Sequence, residues 1–314
     1  MPTTPNRGFP SRIVLSRKGV DTTKVGGSFQ SLIVNGKLIN FPIPQYENGK
    51  KEAARREHDS TYADLSLRGG CIKNLGDAFG QLPKRNLKAN RIVHLDPDIR
   101  PEFRPSDTLR GCERTFFGQD GSPYKELENR KVGTGSLFLY FGRFREVDTR
   151  NPNRWVFTGR PKHVIWGWQQ IDEVVDLRRP PAPPDAKHHP HVVHSDCYNH
   201  HENRLFIGKG RLRFRSELHH AGTFKEVRPE LILTANHDAF NSDVWDVPEF
   251  FLDDRVAMNR KGRTEKVSIP SNFRPARGKV ASFAGQGQEF VFNTEGYEDQ
   301  FRAWLDTLYR CFIT

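Results

Sequence analysis

The stretch from Val132 to Ile171 constrains the fold of this chain more than any other. It opens Val-Gly-Thr-Gly-Ser and runs into Leu-Phe-Leu-Tyr-Phe-Gly-Arg-Phe-Arg. A loop of Pro, Arg and Asn follows, and then His-Val-Ile-Trp-Gly-Trp-Gln-Gln-Ile. Glycine supplies the turn, and β-branched and aromatic residues favour two extended strands. Flat rings mixed with Arg and Gln suit a small barrel that stacks a planar, hydrogen-bonding ligand such as a nucleobase. The same rings equally suit a sheet core with no ligand.

The rest of the chain agrees with a strand-rich reading. Its 21 prolines and 26 glycines favour short strands and many turns over long helices. Its 23 phenylalanines give a large apolar payload for a core. No long apolar run suggests a membrane helix, and Met-Pro-Thr-Thr-Pro-Asn-Arg has no apolar leader core. Cys71, Cys112, Cys197 and Cys311 are scattered, with no CxxC pair. That excludes a zinc ribbon and a dense disulfide framework, and a reducing cytoplasm is the expected compartment. The formal charge of +11 points to a polyphosphate partner, DNA or a nucleotide, and to no membrane; a basic surface kept for solubility is the alternative.

Along the chain, residues 1–11 read as a loose tail and 12–310 as one domain. Arg12–Ser16 reads as a short buried strand. Asn35-Gly36 between Gln30–Val34 and Lys37–Phe41 signals a hairpin, because a type I′ turn needs two residues at positive φ. The charged residues 46–60 read as a surface loop. Ile72, Leu75 and Phe79 share one face of a short helix from Cys71 to Phe79. Asn90–Leu95, Asn203–Gly208, Glu230–Thr234 and Gln288–Phe292 read as strands. The Pro-, Arg- and His-rich residues 178–194 separate two folded portions without having to be a true linker. Phe301, Trp304, Leu305 and Leu308 predict a C-terminal helix over 296–310. The fold class expected is α+β: a mixed or antiparallel barrel-like sheet around 132–234, with a few flanking helices.

Several short motifs can carry chemistry. Ser16-Arg17-Lys18-Gly19, with Asp21 beyond it, ends a strand in a turn that offers cations and backbone N–H groups to a phosphate, though it is not a P-loop. His94-Leu-Asp96-Pro-Asp98 puts three polar side chains on one face if the chain stays extended, within reach of one ion or one substrate. Asp residues capping the next turn are the plainer alternative. Tyr62 and Asp64 in Thr61-Tyr-Ala-Asp-Leu65 fit a helix N-cap better than a site on spacing alone. Gln119 in Phe116-Phe-Gly-Gln is a two-way hydrogen-bonder suited to a base edge. His188, His189, His191, His194, Cys197, His200 and His201 match no ordered zinc spacing, and Pro190 lies among them, so a solvated loop is the simpler reading.

Taken in order, eight segments resemble one family. They are Val14–Asp21, Thr61–Leu65, His94–Asp98, Phe117–Gln119, Gly135–Arg145, His163–Gly167, His189–His191 and Gly287–Val291. Together they resemble the nucleotide-modification-associated domain family, third type, over about residues 12 to 310. The 132–171 strands are also similar to base-gripping barrels of the PUA and EVE type. The family resemblance implies a setting in phage and bacterial systems that handle modified DNA bases. It implies catalytic candidates His94, Asp96, Asp98 and Asp64. It implies binding candidates Ser16, Arg17, Lys18, Asp21, Tyr62, Gln119, Arg145 and His191; Trp166 joins them as a ring that can stack a base in an enzyme's site. For Tyr62 and Asp64 it reverses the N-cap reading.

Three functions follow as alternatives: an enzyme acting on a flipped or free base, a non-catalytic reader of modified bases, and a structural subunit of a larger complex. No Rossmann fingerprint, SAM-type loop or Ser/His/Asp order stands out, so no cofactor is assigned. No metal ligands are assigned, although Asp96 and Asp98 can accommodate a divalent ion.

Overall fold

The computed structural model describes residues 8–20, 29–46, 53–67, 72–82, 87–151, 154–179, 181–198, 202–235, 244–253, 256–258, 279–281 and 289–312. Content is mixed, with few helices and several sheets. The main sheet is built on three strands, β1 (Arg12–Arg17), β7 (Leu137–Asp148) and β8 (Val156–Gln170). β1 lies between β7, to which it is parallel, and the antiparallel strand Glu289–Asn293. A strand paired on both edges and covered on both faces is expected to be continuously apolar, and Ile13, Val14 and Leu15 are fully buried.

The hairpin forms as its turn predicts. β2 (Ser31–Val34) and β3 (Lys37–Ile39) flank Asn35 at φ 49° and Gly36 at φ 78°. β2 pairs in parallel with the second half of β7, from Phe144 to Val147, whereas β1 pairs with the first half, Leu137 to Phe141. The expected barrel does not form. The main sheet runs from Ala221–Thr223 through β8, β7, β1 and Glu289–Asn293 to Ala257–Met258, and none of the sheets closes. β7 is long enough to divide its edge between two partners, so it spreads the sheet rather than curling it.

The short strands β4 (Ile43–Pro44) and β5 (Val93–His94) form a two-stranded ribbon. A three-stranded antiparallel sheet joins β6 (Thr115–Asp120), β10 (Asn203–Gly208) and β9 (Glu173–Asp176). It packs on the main sheet through Phe117 and Phe206 against Phe138. A second core gathers Phe29, Phe41, Tyr62, Phe79 and Trp155. The C-terminal helix spans Glu298–Tyr309 and buries Phe301, Leu305 and Leu308, as its spacing predicts. No helix among the described residues is long and apolar enough to cross a membrane.

Other expectations need correction. The 71–79 helix is Leu75–Gln81, started by Asn74, whose side chain accepts from the Asp77 amide; Cys71 lies outside the described residues. The strand read at 90–95 is only Val93–His94. At 230–234 a 3-10 turn, Pro229–Leu231, replaces most of the strand because Pro229 starts a turn. Residues 178–194, which need not be a linker, are tied to the rest of the fold. His188 and His189 fold back onto Asp98 and Asp96, which anchors this segment to the body.

Candidate functional site

The first polar group of the site is assembled from five separated segments. From the ribbon come Gln45, just after β4, and His94 at the end of β5. The Asp96 amide donates back to the His94 carbonyl at 2.9 Å, a tight turn that ends the extended run. His94, Asp96 and Asp98 therefore do not share a face as predicted. The turn instead brings His94 Nε2 within 3.7 Å of Asp96 Oδ2 and sends Asp98 elsewhere. The helical turn Pro190–Val193 supplies His191, and the ligand atoms of His94, Asp96 and His191 lie within 4.8 Å of one another.

Each of these side chains is held by a neighbour. Asp96 Oδ1 accepts from the Gly118 amide at 2.8 Å and from His189 Nε2 at 3.2 Å. His94 Nδ1 is 2.7 Å from Gln45 Oε1, and His191 Nδ1 is 2.8 Å from Asn203 Oδ1. Tyr198 stacks on His191 with the rings parallel and 4.3 Å apart. Gly118 leaves room for the imidazole, since a Cβ there would lie 2.2 Å from His191 Cδ2.

A second polar group adjoins the first on the inner side of β6. Tyr140, Ser16 and Glu289 stand in register across three neighbouring strands of the main sheet. Glu289 Oε1 accepts from Gln119 Nε2 at 2.9 Å and from Ser16 Oγ at 3.3 Å, and lies 3.6 Å from Lys18 Nζ. Lys18 also sits over the Phe117 ring at 4.4 Å. Tyr140 donates to Gln169 Oε1 at 2.6 Å.

Electrostatics tie the two groups together. Burial alone would raise the Asp96 carboxyl. The His189 hydrogen bond, the adjacent His94 imidazole and the Lys18 charge instead hold it well below the usual range. Burial and the Asp96 and Glu289 charges push the Tyr140 hydroxyl well up. Burial keeps His191 neutral, its pKa lowered to about 3. Burial and the Asp120 and Asp96 charges raise the Tyr198 hydroxyl. The site thus holds an ionised carboxylate, a neutral imidazole and a cation in a nearly dry setting, where charges act strongly.

Of the predicted residues, His94, Asp96 and His191 meet in the first group and Ser16, Lys18 and Gln119 in the second, the two linked by the charges of Lys18 and Asp96. The others do not. Arg17 is one residue out of phase with Ser16 and Lys18, so strand alternation turns it to the opposite face of β1. Asp98 is fully buried and bonded to Arg104 Nε at 2.8 Å and His188 Nε2 at 2.7 Å. Arg104 spends its other donors on the carbonyls of Leu109, Cys112 and Arg114, which makes this a structural ion pair. Tyr62 is fully buried and donates to the Pro42 carbonyl. Asp64 caps Thr61 as the spacing alone suggested, accepting from its amide and its hydroxyl.

Arg145 lies five residues beyond Tyr140 on β7, about 16 Å along a strand, and donates to the Gly159 carbonyl. Trp166 is buried beneath the site, stacked on Tyr140 and donating to the Lys18 carbonyl. Its other side borders a separate cleft of about 1220 Å³ that also touches Trp168 and His219. Asp21, His200 and His201 lie outside the described residues.

Gln45, Asn203, His189, Tyr198 and Glu289 were missed. Glu289 lay within a family-like segment and His189 within the histidine run, but Gln45 and Asn203 carry no local signal at all. The comparisons agree with the resemblance and add no relative. No curated protein and no solved structure matches the chain. One family model does match, over residues 12–293, and by it the chain belongs to the nucleotide modification associated domain 3 family.

Proposed function

We propose that this protein is an enzyme that acts on a base or nucleotide of DNA at the cluster around His94, Asp96 and His191. The carrying observation is this cluster beside the Lys18, Gln119 and Glu289 group, with the Lys18 charge acting on Asp96. They come from segments far apart in sequence and are nearly all buried. Burying polar and charged groups is costly unless each is paired, and a packed core would achieve stability with less. Family membership supplies the nucleotide setting.

In this reading Lys18 draws the phosphate, while Gln119 and Glu289 offer a donor–acceptor pair to a base edge. His94, Asp96 and His191 face the reacting group. Asp96, held ionised, serves as a fixed negative charge rather than as a proton acceptor. A base inside a duplex cannot reach so enclosed a cluster, so the substrate is a flipped or free one. The reader alternative loses its main support, because Tyr140, Trp166 and Trp168 are core residues rather than exposed stacking platforms.

The test is nucleoside mass spectrometry on DNA and nucleotides incubated with the protein or recovered from cells expressing it. The expected outcome is an altered nucleoside from the wild type and none from a folded Asp96→Asn variant. Selective binding of modified DNA with no altered nucleoside would replace the enzyme by a reader.

A further inference from the structure

We propose that His94, Asp96 and His191 bind a divalent first-row transition metal through three protein ligands, leaving its remaining positions open to water or substrate. The inference deepens the nucleotide reading and rests on it for the substrate, but not for the ion. Two imidazoles and one carboxylate are donors of intermediate softness. They suit Zn(II), Fe(II) or Co(II) better than Mg(II) or Ca(II), which favour all-oxygen shells.

The orientation of each donor carries the argument. The Asn203 amide nitrogen donates to the His191 carbonyl at 3.1 Å, so its oxygen is the atom facing His191 Nδ1. That ring nitrogen must then carry the proton, which leaves the Nε2 lone pair for the cluster. The same logic fixes His94. The Gln45 amide nitrogen donates to the Tyr46 carbonyl at 3.0 Å, so Oε1 accepts from His94 Nδ1 and Nε2 is bare.

Asp96 is set in a matching way. His189 Nδ1 accepts from the His191 amide at 3.3 Å, so its Nε2–H donates to Asp96 Oδ1. With the Gly118 amide also on Oδ1, Oδ2 is the oxygen turned toward His94 Nε2. Two imidazoles, each with one nitrogen left as a lone pair, and a carboxylate oxygen thus share one cluster no more than 4.8 Å across, each fixed from behind by a carbonyl oxygen or an N–H. Supporting partners of this kind orient metal ligands and set their tautomers.

The size also fits. Ligands on a tetrahedral or octahedral centre with bonds of about 2.1 Å stand roughly 3.0–3.4 Å apart. The 3.7 Å between His94 Nε2 and Asp96 Oδ2 needs only a small rotation to reach this, and the 4.8 Å limit for the whole group a larger one. The nearby Lys18 charge opposes a cation, but Glu289 faces it at 3.6 Å.

The experiment strips the full chain with a chelator and titrates it with Co(II), following visible ligand-field absorption, with Zn(II) as competitor. One equivalent is expected, displaced by Zn(II), with a rise in melting temperature. His94→Ala, Asp96→Asn and His191→Ala should abolish the band. Asn203→Ala and Gln45→Ala should weaken binding about 10–100-fold. Gly118→Ala should weaken it too by displacing His191, whereas His219→Ala should leave it unchanged.

If a ligand variant fails to fold, the Asn203, Gln45 and Gly118 variants still decide the matter. No stoichiometric Co(II) uptake by the wild type, or equal uptake by every variant, overturns the proposal. An altered nucleoside made at full rate by stripped protein overturns the ion's role and leaves the nucleotide reading standing. Stoichiometric uptake with no altered nucleoside does the reverse.

Discussion

At the scale of single residues, the distinction that matters is between polar groups buried for stability and polar groups buried for chemistry. Asp98 and Asp96 stand two positions apart and are both enclosed, yet their surroundings differ. Asp98 meets the fully buried Arg104 and His188, and Arg104 also donates to three backbone carbonyls. Removing one partner strands the other. Arg104→Met is therefore expected to destabilise the fold by about 3–5 kcal/mol, read by urea unfolding. Asp96 instead accepts from His189 and from the Gly118 amide and lies beside His94 and His191, with no arginine among the described residues paired to it. Tyr62 marks the opposite case. Tyr62→Phe removes its bond to the Pro42 carbonyl, costing about 0.5–1.5 kcal/mol, and should leave nucleoside products unchanged. A Tyr62→Phe variant that folds normally but forms no product would return Tyr62 to the site.

At the scale of elements, the sheet edges decide what can converge. β1 is central, so its side chains Ser16 and Glu289 opposite it are delivered to one face in register. β6 carries Gln119 to that face and Gly118 to the other, where His191 packs against the missing Cβ. The hairpin depends on its turn. Gly36→Ala places a Cβ at φ 78°, which is expected to cost on the order of 1–2 kcal/mol in a thermal or denaturant melt. The C-terminal helix depends on its buried stripe. Leu305→Ala should cost about 2–5 kcal/mol, and an unchanged denaturation midpoint would show that the helix docks by other means.

At the scale of the whole molecule, the formal charge of +11 belongs to association rather than to folding. Many of the arginines are already paired: Arg56 with Asp196, Arg114 with Asp185, and Arg204 with Asp176. Affinity for DNA should still fall steeply as salt rises, because each phosphate contact releases counterions. A binding isotherm insensitive to salt would show that the basic excess serves solubility.

Local patterns were sufficient for much of the fold. The Asn35-Gly36 turn, the buried run of β1, the aromatic strands of 132–171 and the apolar stripe near the C-terminus are each dictated by neighbours in the chain, so each was legible. The site was legible only in its parts. Ser16, Lys18, His94, Asp96, Gln119 and His191 could be named from short motifs, but nothing in those motifs separated Asp96 from Asp98, or Ser16 from Arg17. A side chain's role depends on what lies opposite it, and here the opposing groups come from segments as far as 273 residues away. Gln45 and Asn203, which set the two imidazoles, are ordinary residues until the ribbon and β10 bring their carbonyl oxygens against the rings. Whether the 132–171 strands closed into a barrel was likewise a tertiary matter, because it turned on which partners β7 found along its length.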